Sequence, residues 1–149
     1  FRDIANVIRA LVPKRDADSV LIQPMITGGV ETMMGITRDP VFGPLVAFGL
    51  GGIFVELLGD VRFRIAPLTD RDVDNLLRGI KGFPLLKGYR GRAAADLDGL
   101  RELLSRLSRL ADEVPEIVEL DLNPVIALPL GRGCRIVDAR IRVTPASVR

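Results

Sequence analysis

Histidine is absent from this chain. That removes the commonest general acid–base side chain and the commonest transition-metal ligand together, so any chemistry must rest on carboxylates, arginines, backbone amides or a bound ion. Cysteine occurs once, as Cys134. No disulfide can close within the chain, which fits a reducing cytoplasm, and a cysteine inside an apolar strand reads as a small core residue rather than a nucleophile. No apolar run reaches the length of a membrane span and no signal peptide is recognisable, so no membrane partner is expected. Lysine is scarce too: of 21 basic residues only Lys14, Lys81 and Lys87 are not arginine. Arginine richness suits bidentate contact with carboxylates or phosphates, although genome composition yields the same bias. No basic run is interleaved with aromatics, so nucleic acid is not an expected partner.

What is present is the material of one domain. The 149 residues are 48% hydrophobic and 27% charged, with no low-complexity tract, which excludes disorder and leaves enough chain to bury a core. Residues 1–149 show no linker or internal repeat. They open at Phe1 within a helical pattern, which suggests a piece excised from a longer protein.

Apolar spacing predicts a helix over 3–12, closed by Pro13, and strands over 19–25, 30–37, 45–50, 53–58 and 61–65. Thr69 with Asp72 three residues later resembles a capping box and opens a helix to about Ile80. Residues 82–92 form a glycine-punctuated loop or short helical turn. Between 96 and 114, Leu97, Leu100, Leu103, Leu104, Leu107, Leu110, Ala111 and Val114 repeat at helical spacing, the stripe of a core-facing helix. Two strands close the chain, separated by a turn around Gly131 and Gly133. Strands, then helices, then strands favour an α+β fold: a mostly antiparallel sheet with helices packed on one side.

The chemistry concentrates in those last strands. In Glu119-Leu120-Asp121-Leu122-Asn123-Pro124, alternation places Asp121 and Asn123 on one face, and Asp138 ends the apolar run of Ile136 and Val137. Side by side they make an oxygen-lined edge suited to Mg²⁺, which keeps water and takes its remaining ligands from phosphates. The competing reading is that strand-end Asp and Asn are turn residues. Gly49, Gly51 and Gly52 suit either a phosphate-cradling backbone or a simple bulge or hairpin turn. Glu56, Arg62, Arg64 and Arg90 form a charged set in apolar surroundings. The arginines could offset negative charge on a transferring phosphoryl group, or Arg62 or Arg64 could pair with Glu56.

Four stretches then stand in order: Gly29-Val30-Glu31 leading to Asp39-Pro40-Val41-Phe42-Gly43-Pro44; Phe48-Gly49-Leu50-Gly51-Gly52 through Glu56, with Arg62-Phe63-Arg64; Leu85-Leu86-Lys87-Gly88-Tyr89-Arg90-Gly91; and the Asp121-Asn123 strand with Asp138. Across about residues 19–143 they resemble the nucleotide-binding subunit of the ADP-forming acyl-CoA synthetases, relatives of the succinyl-CoA synthetase β subunit with an ATP-grasp fold. The resemblance implies ATP or ADP and Mg²⁺ as ligands. Backbone groups near Gln23 and Met25 would meet the adenine edge and Glu31 the ribose and phosphates, while Asn123 and Asp138 would hold the metal, with Asp121 as a further or outer ligand. Beside these, the physical reading of the residues puts a phosphate on the Gly51 and Gly52 backbone and gives Glu56 and Arg90 a part in catalysis.

In that family a phosphoryl group passes between an acyl phosphate, a histidine and ADP. Here the phosphohistidine must come from another domain or subunit, as must the CoA site. The fold's first half, with its glycine-rich lid and nucleotide-binding lysine, would precede Phe1, and the isolated fragment is expected to be inactive. The alternative is a non-catalytic, synthetase-like regulatory domain of a protein lysine acetyltransferase.

Overall fold

A computed structural model describes residues 23–52 and 59–145. The expected helix over 3–12, the strand over 53–58 and Glu56 lie outside the described residues, as does most of the expected strand over 19–25. The elements in order are strands β1 (Val30–Asp39), β2 (Gly43–Leu50) and β3 (Val61–Ile65), helices α1 (Asp70–Gly79), α2 (Phe83–Leu86) and α3 (Leu97–Glu113), then strands β4 (Ile117–Ala127), β5 (Cys134–Ile136) and β6 (Ala139–Val143). The strands form one sheet in the order β3-β2-β1-β4-β5, with β6 also paired to β4, and every pairing is antiparallel. This is the α+β architecture that the order of elements predicts.

Alternation along the strands sends one side chain in two to the helices. Met34 and Ile36 of β1, Phe48 and Leu50 of β2, and Leu120 and Leu122 of β4 are buried there against Leu76 and Leu77 of α1 and Leu100 and Leu104 of α3. The leucine stripe of α3 thus packs into the core, as its spacing requires. Among the described residues no helix covers the other face, where Glu31, Met33, Gly35, Asp121 and Asn123 emerge.

That division depends on an irregularity in β4. Thr32 pairs with Val125 and Met34 with Leu122, so Asn123 and Pro124 together stand opposite Met33 alone. The extra residue is a bulge, a setting that tolerates proline because a bulged residue needs no ladder N–H. It also shifts the alternation by one, so that Val125 and Ala127 return to the core after Asp121 and Asn123 have faced away.

Polar contacts set the helices. Thr69 and Asp72 exchange the two bonds of a capping box at the start of α1, as their spacing predicts. Arg38 donates to the carbonyls of Ala111 (2.9 Å) and Val114 (3.2 Å), which the end of α3 leaves open, and to that of Ile117 (2.7 Å) at the start of β4. Buried Asp60 accepts the N–H groups of Lys81 (2.8 Å) and Gly82 (2.7 Å), holding the turn between α1 and α2. Two sequence expectations need correction. Residues 23–27 are irregular rather than strand. The expected run from Ile136 to Arg140 is two strands, because the chain breaks at Val137 and Asp138 opposite the β4 bulge. There the backbone bonds run to the bulged residues, Val137 N–H to Pro124 O (3.0 Å) and Asn123 N–H to Asp138 O (3.3 Å).

Asp96 caps α3 by accepting from Gly99 N–H (3.1 Å) and also accepts from Gly133 N–H (2.7 Å) in the β4–β5 turn. The Gly133 and Gly99 amides hold its carboxyl below the usual aspartate range. Cys134 lies beside this contact, half-buried, and burial pushes its thiol up, in keeping with a core residue. Because the native carboxylate resists protonation, its contribution is fully present above the ordinary aspartate pKa and is lost as pH falls through the lower native value. Asp96→Ala is therefore expected to cost about 1–3 kcal/mol near neutrality, with the gap from the parent narrowing below roughly pH 4. Denaturant unfolding of both proteins across pH 3–7 measures this, and a gap independent of pH contradicts it.

Candidate functional site

β1 starts where the backbone is tightest. Gly29 has φ +86°, and a Cβ there would lie 2.6 Å from the Ala127 carbonyl oxygen, so only glycine lets β1 begin this close to the end of β4. Two residues on, Glu31 turns to the uncovered face. Opposite it β2 runs out into Gly51 and Gly52. Gly51 N–H donates to Glu31 O (2.8 Å), and a Cβ on Gly52, at φ +64°, would sit 2.7 Å from Glu31 Oε2. The Glu31 carboxylate therefore lies against bare backbone at this turn.

A cleft of about 600 Å³ opens beside it. The ends of β1 and β2 line one side (Glu31, Leu50, Gly51 and Gly52), and Leu85, Tyr89, Arg90 and Arg92 line the other. The second wall is the loop between α2 and α3. Its base is closed by Ala95 N–H to Leu86 O (2.9 Å) and its tip by Arg92 N–H to Tyr89 O (3.2 Å). Arg90 adopts φ +50° between Gly88 and Gly91, also at positive φ, and its guanidinium lies 5.3 Å from the Tyr89 ring centroid. A non-glycine residue in this conformation carries a strain of about 1 kcal/mol or more, which the closed loop maintains. The arrangement offers apolar walls, two guanidinium groups and a glycine turn facing one carboxylate, a combination suited to an anionic ligand with an apolar body.

Of the residues singled out from sequence, Glu31, Gly51, Gly52 and Arg90 meet in this cleft. Tyr89 and Arg92 were missed, although Arg92 stands two residues beyond Arg90 in the same glycine-punctuated stretch. Gln23 and Met25 do not line it: both are exposed, Met25 by 87%. Arg62 and Arg64 also leave the site. Their alternation on one face of β3 holds, but Arg62 pairs with core-facing Phe48 and donates to Gly79 O (2.9 Å) at the end of α1, while Arg64 donates to Phe63 O (2.9 Å).

Asp121, Asn123 and Asp138 form a second group. Asp121 and Asn123 share the uncovered face, and the backbone bond from Asn123 to Asp138 joins the latter to them. Asp138 accepts from Ala139 N–H (2.9 Å) and lies 3.6 Å from Arg140 Nε. Asp121 Oδ1 is buried with no hydrogen-bond partner, a costly state for a carboxylate oxygen that a cation relieves. The all-oxygen donor set is that of Mg²⁺. Among the described residues no three acidic, cysteine or histidine side chains cluster, so a cation here needs further oxygens, such as those of a phosphate. Asn123 faces Met33, two residues from Glu31, and strand geometry puts the Cα atoms of Glu31 and Asn123 roughly 8 Å apart, within the span of one polyphosphate.

The ATP-grasp domain family matches residues 1–143. The chain is 43% identical over 141 residues to the acetate–CoA ligase (ADP-forming) I of Archaeoglobus fulgidus, matching over 95% of its own length and 20% of that protein's. It is 42% identical over 142 residues to the subunit beta of acetate–CoA ligase (ADP-forming) II of Pyrococcus furiosus, covering 95% of itself and 60% of that subunit. Among solved structures, the dinucleotide-forming acetyl-coenzyme A synthetase 1 of Ca. Korarchaeum cryptofilum, in complex with coenzyme A and Mg-AMPPCP, is 47% identical with a TM-score of 0.76 over 80% of this chain and 55% of that one. The chain thus spans between a fifth and three-fifths of the curated relatives it matches here.

Gly29 and Gly52, two of the glycines lining the cleft, respond differently to a side chain. At Gly29 the obstacle is backbone, whereas at Gly52 it is the end of the Glu31 side chain, which can swing aside. Gly29→Ala is expected to cost more than about 2 kcal/mol, and Gly52→Ala about 1 kcal/mol. Part of the latter should vanish in a Glu31→Ala background. Thermal unfolding of the three single variants and the Glu31–Gly52 double variant tests this, and strictly additive losses contradict the contact.

Proposed function

Because the chain belongs to the ATP-grasp family, we propose that it is the nucleotide- and Mg²⁺-binding part of an ADP-forming acyl-CoA synthetase, an acid–thiol ligase. The observation that carries this reading is the cleft at the ends of β1 and β2, where Glu31 and the Gly51–Gly52 turn face Arg90 of the α2–α3 loop, together with the orphaned Asp121 oxygen and Asn123 on the uncovered face of the same sheet. The residues act by holding and orienting. Glu31 takes the ribose and phosphate side of the nucleotide, the Gly51 and Gly52 backbone lies along the phosphates, and Arg90 offsets their charge. Asn123 and Asp138 hold Mg²⁺, with Asp121 as a further ligand. When bound, the ion supplies neutralisation of phosphate charge. Gln23 and Met25 are proposed to meet the adenine edge, and Glu56 to act in catalysis from outside the described residues.

The chain has no histidine, so the phosphorylated residue comes from a partner domain or subunit, as does the CoA site. In the Ca. Korarchaeum cryptofilum structure a phosphohistidine segment points towards the nucleotide-binding site, which supports that division of labour. The share of the relatives' length that is matched supports a chain that works as one part of a longer enzyme. No helix among the described residues is long and apolar enough to cross a membrane, and a cytoplasmic setting is proposed. The relatives compared above are ligases and synthetases, which favours catalysis over the regulatory alternative.

Titration calorimetry on the full-length protein that contains this chain tests the assignment. ADP and ATP are expected to bind in a Mg²⁺-dependent manner, and Asn123→Ala and Asp138→Ala should each weaken that binding by about tenfold or more. Undiminished binding in both variants would remove the metal assignment. No nucleotide binding by the folded parent would remove the nucleotide site itself.

A further inference from the structure

We propose that Arg92 is an anion-binding residue of the cleft, gripping the phosphates of the bound nucleotide directly from the loop wall opposite Glu31, while Arg90, over the Tyr89 ring, adds its charge beside it. The inference rests on the nucleotide reading of the site. Both arginines line the cleft, but they are not equivalent. The guanidinium of Arg90 lies over the Tyr89 ring at 5.3 Å, an attraction that occupies one of its faces and ties it to the loop's own aromatic. Arg92 has no such platform, and among the described residues neither arginine forms a salt bridge. The cleft therefore contains a guanidinium whose charge is unmatched except by Glu31, the single acid in the lining.

The backbone of Arg92 is unusually well fixed for an exposed loop. Its N–H donates to Tyr89 O (3.2 Å), and its carbonyl packs so closely on Gly88 that a Cβ there would lie 2.8 Å away. Gly88 has φ +90°, so the loop folds back on itself only with glycine at this position. Two residues beyond Arg92, Ala94 O accepts from Leu130 N–H (3.0 Å), which anchors the loop to the chain beyond β4. A pinned backbone removes the loop's share of the ordering cost, and the planar guanidinium fork then offers a phosphate paired donors for the side-chain freedom that is lost. Sharing the anion between Arg92 and the Gly51–Gly52 backbone across the cleft gives the ligand contacts on both sides.

The test uses the full-length protein with Mg²⁺ and compares the parent, Arg92→Gln, Arg92→Lys and Gly88→Ala by calorimetry with adenosine and with ADP. Arg92→Gln is expected to weaken ADP binding by about tenfold or more and to leave adenosine binding within about twofold. Arg92→Lys should recover part of the loss, Gly88→Ala should reproduce it with the arginine still present, and the melting temperature of Arg92→Gln should match the parent's. If Arg92→Gln binds ADP like the parent, the inference is wrong and the nucleotide site stands. Equal loss of adenosine and ADP would make Arg92 a structural residue and overturn the inference. A parent that binds neither compound would overturn the nucleotide reading, and this inference with it.

Discussion

The antiparallel pairing of β1 with β4, and the single bulge within it, is the constraint on which the rest of the structure depends. Strands alternate their side chains strictly, so a strand with acids and leucines in turn faces two environments at once. β4 meets that requirement by sending Leu120 and Leu122 to the helices and Asp121 and Asn123 away from them. One added residue at Asn123-Pro124 then returns Val125 and Ala127 to the core. Without it the buried and uncovered faces would exchange over the last part of the strand. The same irregularity explains why the neighbouring edge divides into β5 and β6, and why Asp138 lies in the gap beside Asn123.

The cleft follows from where β1 and β2 end. Glu31 is the second residue of β1, two residues after Gly29, which close backbone approach requires to be glycine, and β2 terminates across from it in two more. Helical packing supplies the opposite wall: α1 and α3 are fastened by Arg38, Asp60 and Asp96, each of which accepts or donates two or more bonds from fixed backbone. The α2–α3 loop is therefore held at both ends, and its arginines reach the cleft from a rigid base. Core, caps and cleft are parts of one arrangement, in which the polar residues that close the helices also fix the loop that lines the cleft.

Electrostatics then separates two parts of that face. The cleft is cationic, through Arg90 and Arg92, with Glu31 as its single acid. The β4 region is oxygen-rich and contains a buried carboxylate oxygen without a partner. In the reading proposed above, a nucleotide with its divalent ion would join these halves, with phosphate answering the guanidinium groups and the metal answering the carboxylates. The unmatched guanidinium groups and the orphaned Asp121 oxygen are the physical reason for that reading.

Local pattern made α3, the strands β1 to β3 and the cap of α1 legible in the sequence, because each is enforced by burial or by nearby backbone donors. Gly51 and Gly52 were legible only as either a turn or a phosphate cradle, whereas the leucine stripe, the Thr69–Asp72 box and the sharing of one face by Asp121 and Asn123 were all determined there. The β4 bulge was not, because it arises from pairing with β1 and leaves no local period. Nor was the departure of Arg62 and Arg64 from the cleft: alternation put them on one face, and only the position of α1 decided which face that was. Arg92 entered the cleft for the same kind of reason. The direction in which a loop presents its side chains depends on where its two ends are tied, and for this loop those ties are hydrogen bonds to residues brought together by the fold.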